Sequence, residues 1–124
     1  MQKWILGLVA LPFVGGAALA QSPERFVVDT TADFVALCTT DEADPDYVAA
    51  ISFCRGYGHG AVHYHQIMAE AVPAFRVFCV PDPAPSRAEV WQGFLGWIDE
   101  NPEYMSDEAL DALFAFLESE YPCA

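Results

Sequence analysis

The sequence contains four cysteines, and their number and spacing predict whether they form disulfides, bind metal or react as free thiols. They lie at positions 38, 54, 79 and 123 of the 124-residue chain. An even number of cysteines in a small secreted domain indicates two disulfide bonds. A zinc site is disfavoured, because there is no C-x-x-C pair and the spacings do not resemble a zinc knuckle. We therefore expect Cys38, Cys54, Cys79 and Cys123 all to be paired, which leaves no thiol free to act as a nucleophile.

Two histidines have the spacing of a metal-binding pair. His59 and His63 are four residues apart, so their imidazoles would lie on one face of a helix. No third ligand is evident nearby, and the H-E-x-x-H pattern of zinc proteases is absent. We interpret both as surface histidines and keep metal binding as the minor alternative, to be tested by zinc or copper analysis. His65 is better interpreted as a core histidine.

No other pattern predicts catalysis. Gly56, Gly58 and Gly60 do not form a nucleotide-binding loop, because they follow no predicted strand and lack the lysine that grips phosphates. Acidic residues are plentiful, but no two of them form a recognisable catalytic motif. We therefore predict a protein that is not an enzyme, with no catalytic residues, no metal and no cofactor.

Residues 1–20 have the pattern of a cleaved signal peptide. Lys3 is followed by an apolar run and then by Ala18-Leu19-Ala20, which matches a small-x-small cleavage site. An N-terminal membrane anchor is the alternative, but the run is shorter than the ~20 residues that span a bilayer. We predict a periplasmic mature chain, residues 21–124, that forms a single domain.

The mature chain would be strongly acidic. The whole chain has a formal charge of −13, and loss of Lys3 leaves four arginines against 18 acidic residues, hence −14. Such a charge excludes nucleic acid and anionic membranes as natural partners and favours a basic protein partner. An acidic surface without any partner is the alternative, since net charge also serves solubility.

Helices are the elements that must position these residues. The stretch 47–66 is predicted as part of a central helix that begins at Asp44-Pro45 and ends near residue 70. One apolar stripe of this helix contains Tyr47, Ile51, Cys54, Gly58, Ala61 and His65. We expect another helix to pack closely at Gly58, because glycine allows close approach.

Three further helices complete the predicted fold, which is all-α: a small four-to-five-helix domain cross-linked by two disulfides. Thr30 or Thr31 would cap the first helix, Ser86 the third and Ser106 the fourth. The third helix would end at Asn101-Pro102. The predicted buried positions are Phe34, Leu37 and Cys38 in the first helix, Val90, Phe94, Trp97 and Ile98 in the third, and Leu110, Leu113, Phe114 and Leu117 in the fourth.

Four cysteines allow three disulfide connectivities, and the sequence does not decide among them. The third and fourth helices are joined by a short loop, so we expect them to be antiparallel. This arrangement would bring together Cys79, before the third helix, and Cys123, after the fourth. It therefore favours a Cys79–Cys123 bond and leaves Cys38–Cys54 as the second.

Several motifs together resemble a known family. They are Leu37-Cys38, Cys54-Arg55-Gly56-Tyr57 with Gly60, Phe78-Cys79-Val80-Pro81 and the terminal Tyr121-Pro122-Cys123. Over residues 31–123 the chain resembles the Tai immunity proteins, which protect against amidase effectors of type VI secretion. The resemblance implies a periplasmic helical domain with disulfides, commonly dimeric, that binds a peptidoglycan amidase and blocks its active-site cleft.

The segment 99–108, here named the acidic turn, is our candidate for the partner-binding surface. It contains five acidic residues around a tyrosine and a methionine, where a basic toxin would be attracted and a tyrosine could anchor it. The residues predicted to bind are Asp99, Glu100, Glu103, Tyr104 and Met105. An ordinary solvated turn, with charges that complement the helix dipole, is the alternative.

A rival function belongs to a different class. A small acidic helical protein could serve as a periplasmic stress or chaperone protein with no toxin partner. It would expose the apolar face of the third helix, including Trp91, Phe94 and Trp97, when its acidic residues are protonated. A neighbouring amidase gene would favour immunity, whereas chaperone activity below about pH 4 would favour the rival.

Overall fold

Four α-helices make up most of residues 23–124, the part of the chain that the computed structural model describes. They are α1 (Thr31–Cys38), α2 (Tyr47–Ala71), α3 (Arg87–Glu100) and α4 (Ala109–Glu120), with 3₁₀ turns at Pro23–Phe26, Pro73–Phe75 and Pro102–Ser106. These residues contain no strand, so the predicted all-α fold class is confirmed. The predicted signal peptide, residues 1–20, lies outside the described residues.

Helices α1 and α3 begin after the caps predicted at Thr30 and Ser86, and each cap forms a capping box. The Thr30 side chain accepts a hydrogen bond from the Asp33 amide, and the Asp33 carboxylate accepts one from the Thr30 amide. Ser86 and Glu89 make the same reciprocal pair at α3. Because these bonds satisfy N–H groups that have no partner inside a helix, they fix where both helices begin.

Helix α2 differs from its prediction in two respects. It begins at Tyr47, and Asp44 lies in the preceding turn instead of capping it. The expected close packing at Gly58 is wrong, because a Cβ atom built there would meet nothing within 4 Å. The buried side of α2 is formed by Ala50, Cys54, His65 and Ala69. None of the helices in residues 23–124 is long and apolar enough to cross a membrane.

The start of α4 and its buried face were also predicted incorrectly in part. Ser106 ends the 3₁₀ turn and does not cap α4, whose first residue is Ala109. Leu110 was expected in the core but is 40% exposed. Leu113 and Leu117 are buried as predicted, together with Ala109, Ala112 and Phe116. These five positions follow the i, i+3, i+4, i+7, i+8 spacing of a helix that packs on one side.

The core lies among the four helices and is rich in aromatic rings. Phe34, Phe94 and Phe116 are essentially inaccessible to solvent. The Phe94 ring lies 6.1 Å from that of Phe34 and 5.7 Å from that of Phe116, measured between centroids. Trp91 and Trp97 are half-buried at the edge of this group. Edge-to-face and tilted ring pairs at such distances stabilise a core beyond the area they bury.

Two disulfides, Cys38–Cys54 and Cys79–Cys123, close the structure, and both favoured pairings are confirmed. The first joins the end of α1 to the middle of α2. The second joins the segment before α3 to the end of the chain, where the Cys79 amide also donates a hydrogen bond to the Tyr121 carbonyl. In the loop-entropy account these cross-links contribute about 3 and about 4 kcal/mol.

Candidate partner-binding surface

The backbone of the acidic turn is held by α3. The Asn101 amide donates to the carbonyls of Trp97 and Ile98, and its side-chain amide donates to Trp97 at 2.7 Å. Pro102 then starts the 3₁₀ turn, in which the Tyr104 amide bonds to the Asn101 carbonyl. Successive backbone bonds of this kind leave the turn little freedom to change shape.

Tyr104 and Met105 hold the turn from inside. Both are half-buried and pack against the hydrophobic core. The Tyr104 ring lies 4.8 Å from the Trp97 ring between centroids, within the range of favourable aromatic pairs. Tyr104 is therefore first of all an anchor of the turn, with part of its ring still accessible to a partner.

The acidic side chains of the turn point into solvent. Asp99, Glu100 and Glu103 are exposed, as are Asp107 and Glu108 after the 3₁₀ turn. The structure therefore brings the predicted binding residues together on one short segment and divides them into two layers. The carboxylates form the outer layer, and Tyr104 with Met105 forms the inner one.

Thr31 anchors the acidic turn to α1, a role that was not predicted from the sequence. Its amide donates to the Asp107 carbonyl at 2.8 Å, and its hydroxyl lies 3.1 Å from the same oxygen. Thr31 is fully buried, so these bonds are shielded from water. The doublet Thr30-Thr31 offered a weak signal, because only one of two adjacent threonines can cap α1.

A shallow depression lies beside the acidic turn. It encloses about 230 Å³ and is lined by Val28, Asp29, Tyr57, Glu108, Ala109 and Leu110. Burial, together with the nearby Glu108 carboxylate, raises the pKa of the Tyr57 hydroxyl. Sites for small ligands are usually larger, at roughly 300–1,000 Å³. The depression therefore has the size of a single side chain, and Asp29 and Glu108 make two of its lining residues acidic.

A second acidic region, before α2, is partly paired with Arg25. The Arg25 guanidinium donates to both carboxylate oxygens of Asp44, at 2.9 and 3.0 Å, and reaches Asp46 at 3.3 Å. Its hydrogen bond lowers the pKa of the Asp44 carboxyl and raises the pKa of Arg25 itself. This clamp joins the 3₁₀ turn at Pro23–Phe26 to the loop before α2, where Asp44 also accepts a hydrogen bond from the Asp46 amide.

The three histidines comprise two on the surface and one in the core, as predicted. His59 and His63 are exposed, with nearly parallel rings 5.9 Å apart, and residues 23–124 contain no group of three potential metal ligands. His65 is buried, stacks on Phe78 at 4.0 Å, and accepts a hydrogen bond at Nε2 from the Val77 amide. Burial lowers the pKa of His65, which favours the neutral ring.

Comparison with known proteins places most of the chain in one family. No curated protein and no solved structure matches the chain. The family model described as Rap1a immunity proteins matches residues 30–123, which include all four helices and both disulfides. The chain belongs to the Rap1a immunity protein family.

Proposed function

We propose that this protein is a periplasmic immunity protein that binds a peptidoglycan amidase toxin and occludes its active site. Membership of an immunity protein family carries the proposal. The two disulfides support a location outside the reducing cytoplasm. Resemblance to Tai proteins supports an amidase delivered by type VI secretion as the toxin.

Occlusion would require no chemistry from the immunity protein itself. A turn that is already fixed in its bound shape loses little conformational entropy on binding. The backbone bonds of Asn101 and the buried contacts of Thr31 hold the acidic turn in this way. We propose that the turn enters the toxin cleft as a rigid wedge and keeps peptidoglycan out.

The charge of the turn would select and attract the toxin. Exposed carboxylates at Asp99, Glu100 and Glu103 would complement a basic surface around the amidase cleft. The depression bordered by Asp29, Tyr57 and Glu108 would receive one lysine or arginine of the toxin. A homodimer is also part of the proposal, through a surface that is separate from the acidic turn.

Capture and inhibition test this proposal. The full chain, tagged at its C terminus and purified in oxidised form, would be used to capture proteins from periplasmic and secreted extracts for mass spectrometry. A captured amidase would then be assayed for peptidoglycan cleavage with increasing amounts of the immunity protein. We expect stoichiometric inhibition with a nanomolar dissociation constant, about −12 kcal/mol.

A pair of charge-reversal variants tests the acidic turn. Glu100→Lys with Glu103→Lys should weaken toxin binding by about 100-fold or more, since like charges across an interface cost several kcal/mol. Glu118→Lys with Glu120→Lys makes the same change in net charge on exposed positions at the far end of α4, and should leave binding nearly unchanged. Equal effects of both pairs would reject the turn as the interface.

Other results would reject more of the proposal. Capture of a toxin from another class would reject an amidase as the partner but would agree with an immunity function. If no toxin is captured under oxidising conditions, the rival chaperone function should be tested by suppression of aggregation at low pH. In the folded chain that rival has its apolar surface covered, because Phe94 is buried and the tryptophans beside it are half-buried.

A further inference from the structure

Two imidazoles lie side by side on the outward face of α2. The rings of His59 and His63 are 5.9 Å apart between centroids and inclined to each other by only 13°. Both side chains are exposed. Within residues 23–124, His65 is the only histidine that forms a hydrogen bond. The ring nitrogens of His59 and His63 are therefore available to a ligand from solution.

The separation of the two rings suits a single metal ion. The spacing i, i+4 is the one by which a helix presents two histidines to zinc in metalloproteases. An imidazole nitrogen binds Zn²⁺ at about 2.0–2.1 Å, which places two imidazoles on one ion with their centroids about 4.5–5 Å apart. The rings of His59 and His63 need to approach by only about 1 Å to reach this distance, and exposed side chains rotate readily.

Two neutral imidazoles select a class of ion. They suit Cu²⁺, Ni²⁺ and Zn²⁺, whereas Mg²⁺ and Ca²⁺ require oxygen ligands. Among these ions Cu²⁺ binds a given nitrogen site most tightly, and it accepts a tetragonal arrangement of nitrogen and oxygen ligands. Residues 23–124 contain no group of three potential metal ligands among His, Cys, Asp and Glu. Water would therefore complete the coordination of an ion held by this pair.

The charge around the pair is mixed. Arg55 lies one turn before His59, and Glu70 lies two turns after His63 on the same side of α2. Both are exposed, so solvent and salt screen their effect on a bound ion. The formal charge of the whole chain is −13, which raises the concentration of cations at its surface. The spacing of the imidazoles, and not the local charge, defines the site.

We propose that His59 and His63 form a surface site for a divalent transition-metal ion, preferentially Cu²⁺, and that the bound ion stabilises the middle of α2. Gly56, Gly58 and Gly60 each weaken a helix relative to alanine. A Cβ atom at any of them would meet nothing within 4 Å, so close packing within residues 23–124 does not offset this weakness. An ion held by both imidazoles joins two successive turns across Gly60 and offsets it directly.

This inference departs from the prediction of a protein without metal. The spacing alone favoured ordinary surface histidines. The structure adds that the two rings are exposed, parallel and close together, and that the glycines beside them have no packing partner. Surface exposure and metal binding are compatible, because a ligand from solution must reach the ring nitrogens.

Calorimetric titration of the full oxidised chain with CuCl₂ tests the site, on protein purified without a polyhistidine tag. We expect one Cu²⁺ per chain with a dissociation constant of about 10 µM or below, and weaker binding of ZnCl₂. Electron paramagnetic resonance of the Cu²⁺ complex should show two nitrogen ligands. His59→Gln and His63→Gln should each weaken binding by about 100-fold, because a second linked ligand acts at high effective concentration.

An exchange of two neighbouring residues is the matched control. His63→Tyr with Tyr64→His keeps the composition and the net charge of the chain, and both positions are exposed. It places the second imidazole five residues after the first, on a different side of α2. The exchanged variant should therefore bind Cu²⁺ about 100-fold more weakly than the unaltered chain.

Thermal unfolding tests whether the ion stabilises α2. Cu²⁺ at about 100 times its dissociation constant should raise the melting temperature by about 5–10 °C, because it binds the folded chain better than the unfolded one. Amide hydrogen exchange across residues 56–66 should slow in the same complex. Neither change should occur in the exchanged variant, whose melting temperature without metal should match that of the unaltered chain.

The inference is overturned if the unaltered chain binds no Cu²⁺ at concentrations up to about 100 µM. It is also overturned if the exchanged variant binds Cu²⁺ equally well, since other side chains would then hold the ion. Binding that leaves both the melting temperature and the hydrogen exchange unchanged would reject the stabilising role. No toxin takes part in these measurements, so each result leaves the proposed immunity function to its own test.

Discussion

The backbone amide of Thr31, the first residue of α1, donates a 2.8 Å hydrogen bond to the carbonyl of Asp107. The Thr31 hydroxyl reaches the same oxygen at 3.1 Å and the Glu108 carbonyl at 3.4 Å. The two ends of this contact are 76 residues apart in the chain. One buried threonine therefore fixes the acidic turn relative to α1, and the contact can be altered without changing the size of the side chain.

Thr31→Val should lower the free energy of unfolding by about 1–2 kcal/mol, because it removes a buried hydroxyl that lies within hydrogen-bond distance of two carbonyl groups. Urea unfolding followed by circular dichroism measures the change. Thr39→Val is the control, since the Thr39 hydroxyl bonds to the Val35 carbonyl at an exposed position. An equal loss in both variants would show that the Thr31 contact adds nothing specific.

Gly93 and Gly96 form a matched pair within α3. A Cβ atom at Gly93 would lie 3.1 Å from the ring of buried Phe116, whereas one at Gly96 would meet nothing within 4 Å. Gly96→Ala should therefore raise the melting temperature, through a gain of up to about 1 kcal/mol. Gly93→Ala should be less stable than Gly96→Ala by about 1 kcal/mol or more, because Phe116 has no room to move. Equal melting temperatures would contradict this account of the packing.

His65 should make stability depend on pH above the range in which carboxylates titrate. Its pKa is lowered by burial in the folded chain, so below about pH 6.5 the unfolded chain binds a proton that the folded chain excludes. The free energy of unfolding should thus fall as pH decreases from 7.5 to 5.5. Urea titrations at several pH values in this range measure the fall. His65→Gln should flatten this fall, and His59→Gln, at an exposed position, should retain it.

A separate loss of stability is expected at lower pH. Hydrogen bonds from Thr30, Arg25 and Ser86 lower the pKa values of Asp33, Asp44 and Glu89, respectively. Their stabilising contributions are therefore present above the ordinary carboxyl values of 3.8 and 4.5 and disappear as pH falls through the lowered ones. If the fall in stability between pH 7.5 and 5.5 persisted in His65→Gln, its assignment to His65 would be wrong.

The two disulfides should differ in their resistance to reduction. Cys38 and Cys54 are both buried, whereas Cys123 is exposed and Cys79 is partly accessible. A mild thiol reagent should therefore open Cys79–Cys123 first, which peptide mapping after alkylation would detect. Loss of this bond should lower stability by about 4 kcal/mol, a large part of the 5–15 kcal/mol of a typical domain. Initial reduction at Cys38 and Cys54 would contradict the expected order.

The association rate with the toxin should depend on salt through the acidic turn. Raising ionic strength from about 0.05 to about 0.5 M should slow binding, since exposed charges are screened over a few ångströms at high salt. Glu100→Gln with Glu103→Gln should reduce this dependence, and Glu118→Gln with Glu120→Gln should not. Surface plasmon resonance at several salt concentrations separates the association rate from the dissociation rate.

Features determined by nearby residues were predictable from the sequence. Each capping box depends on two residues three positions apart, Thr30 with Asp33 and Ser86 with Glu89. The Cys79–Cys123 pairing followed from a short loop between two helices, which requires them to run antiparallel. In each case the deciding interaction lies within one helix or one helix pair.

Features determined by distant contacts were missed. The Thr31 bond to Asp107 and the Arg25 clamp on Asp44 each join residues far apart in the chain, and no local pattern indicates them. Leu110 was predicted to be buried with Leu113, Phe114 and Leu117, yet it is 40% exposed and the neighbouring Ala109 is buried. Gly58 illustrates a further limit, because a glycine permits close packing without showing that any neighbour is there.

The division of the acidic turn into two layers has a consequence for how immunity can change over generations. The backbone is held by Thr31, Asn101 and Tyr104, while the carboxylates of Glu100 and Glu103 form no hydrogen bond or ion pair within residues 23–124. Under the proposed function, substitutions of these outer residues should therefore alter toxin recognition with little loss of stability. Such a scaffold allows an immunity protein to follow a diverging toxin by single steps, without first acquiring compensating mutations elsewhere.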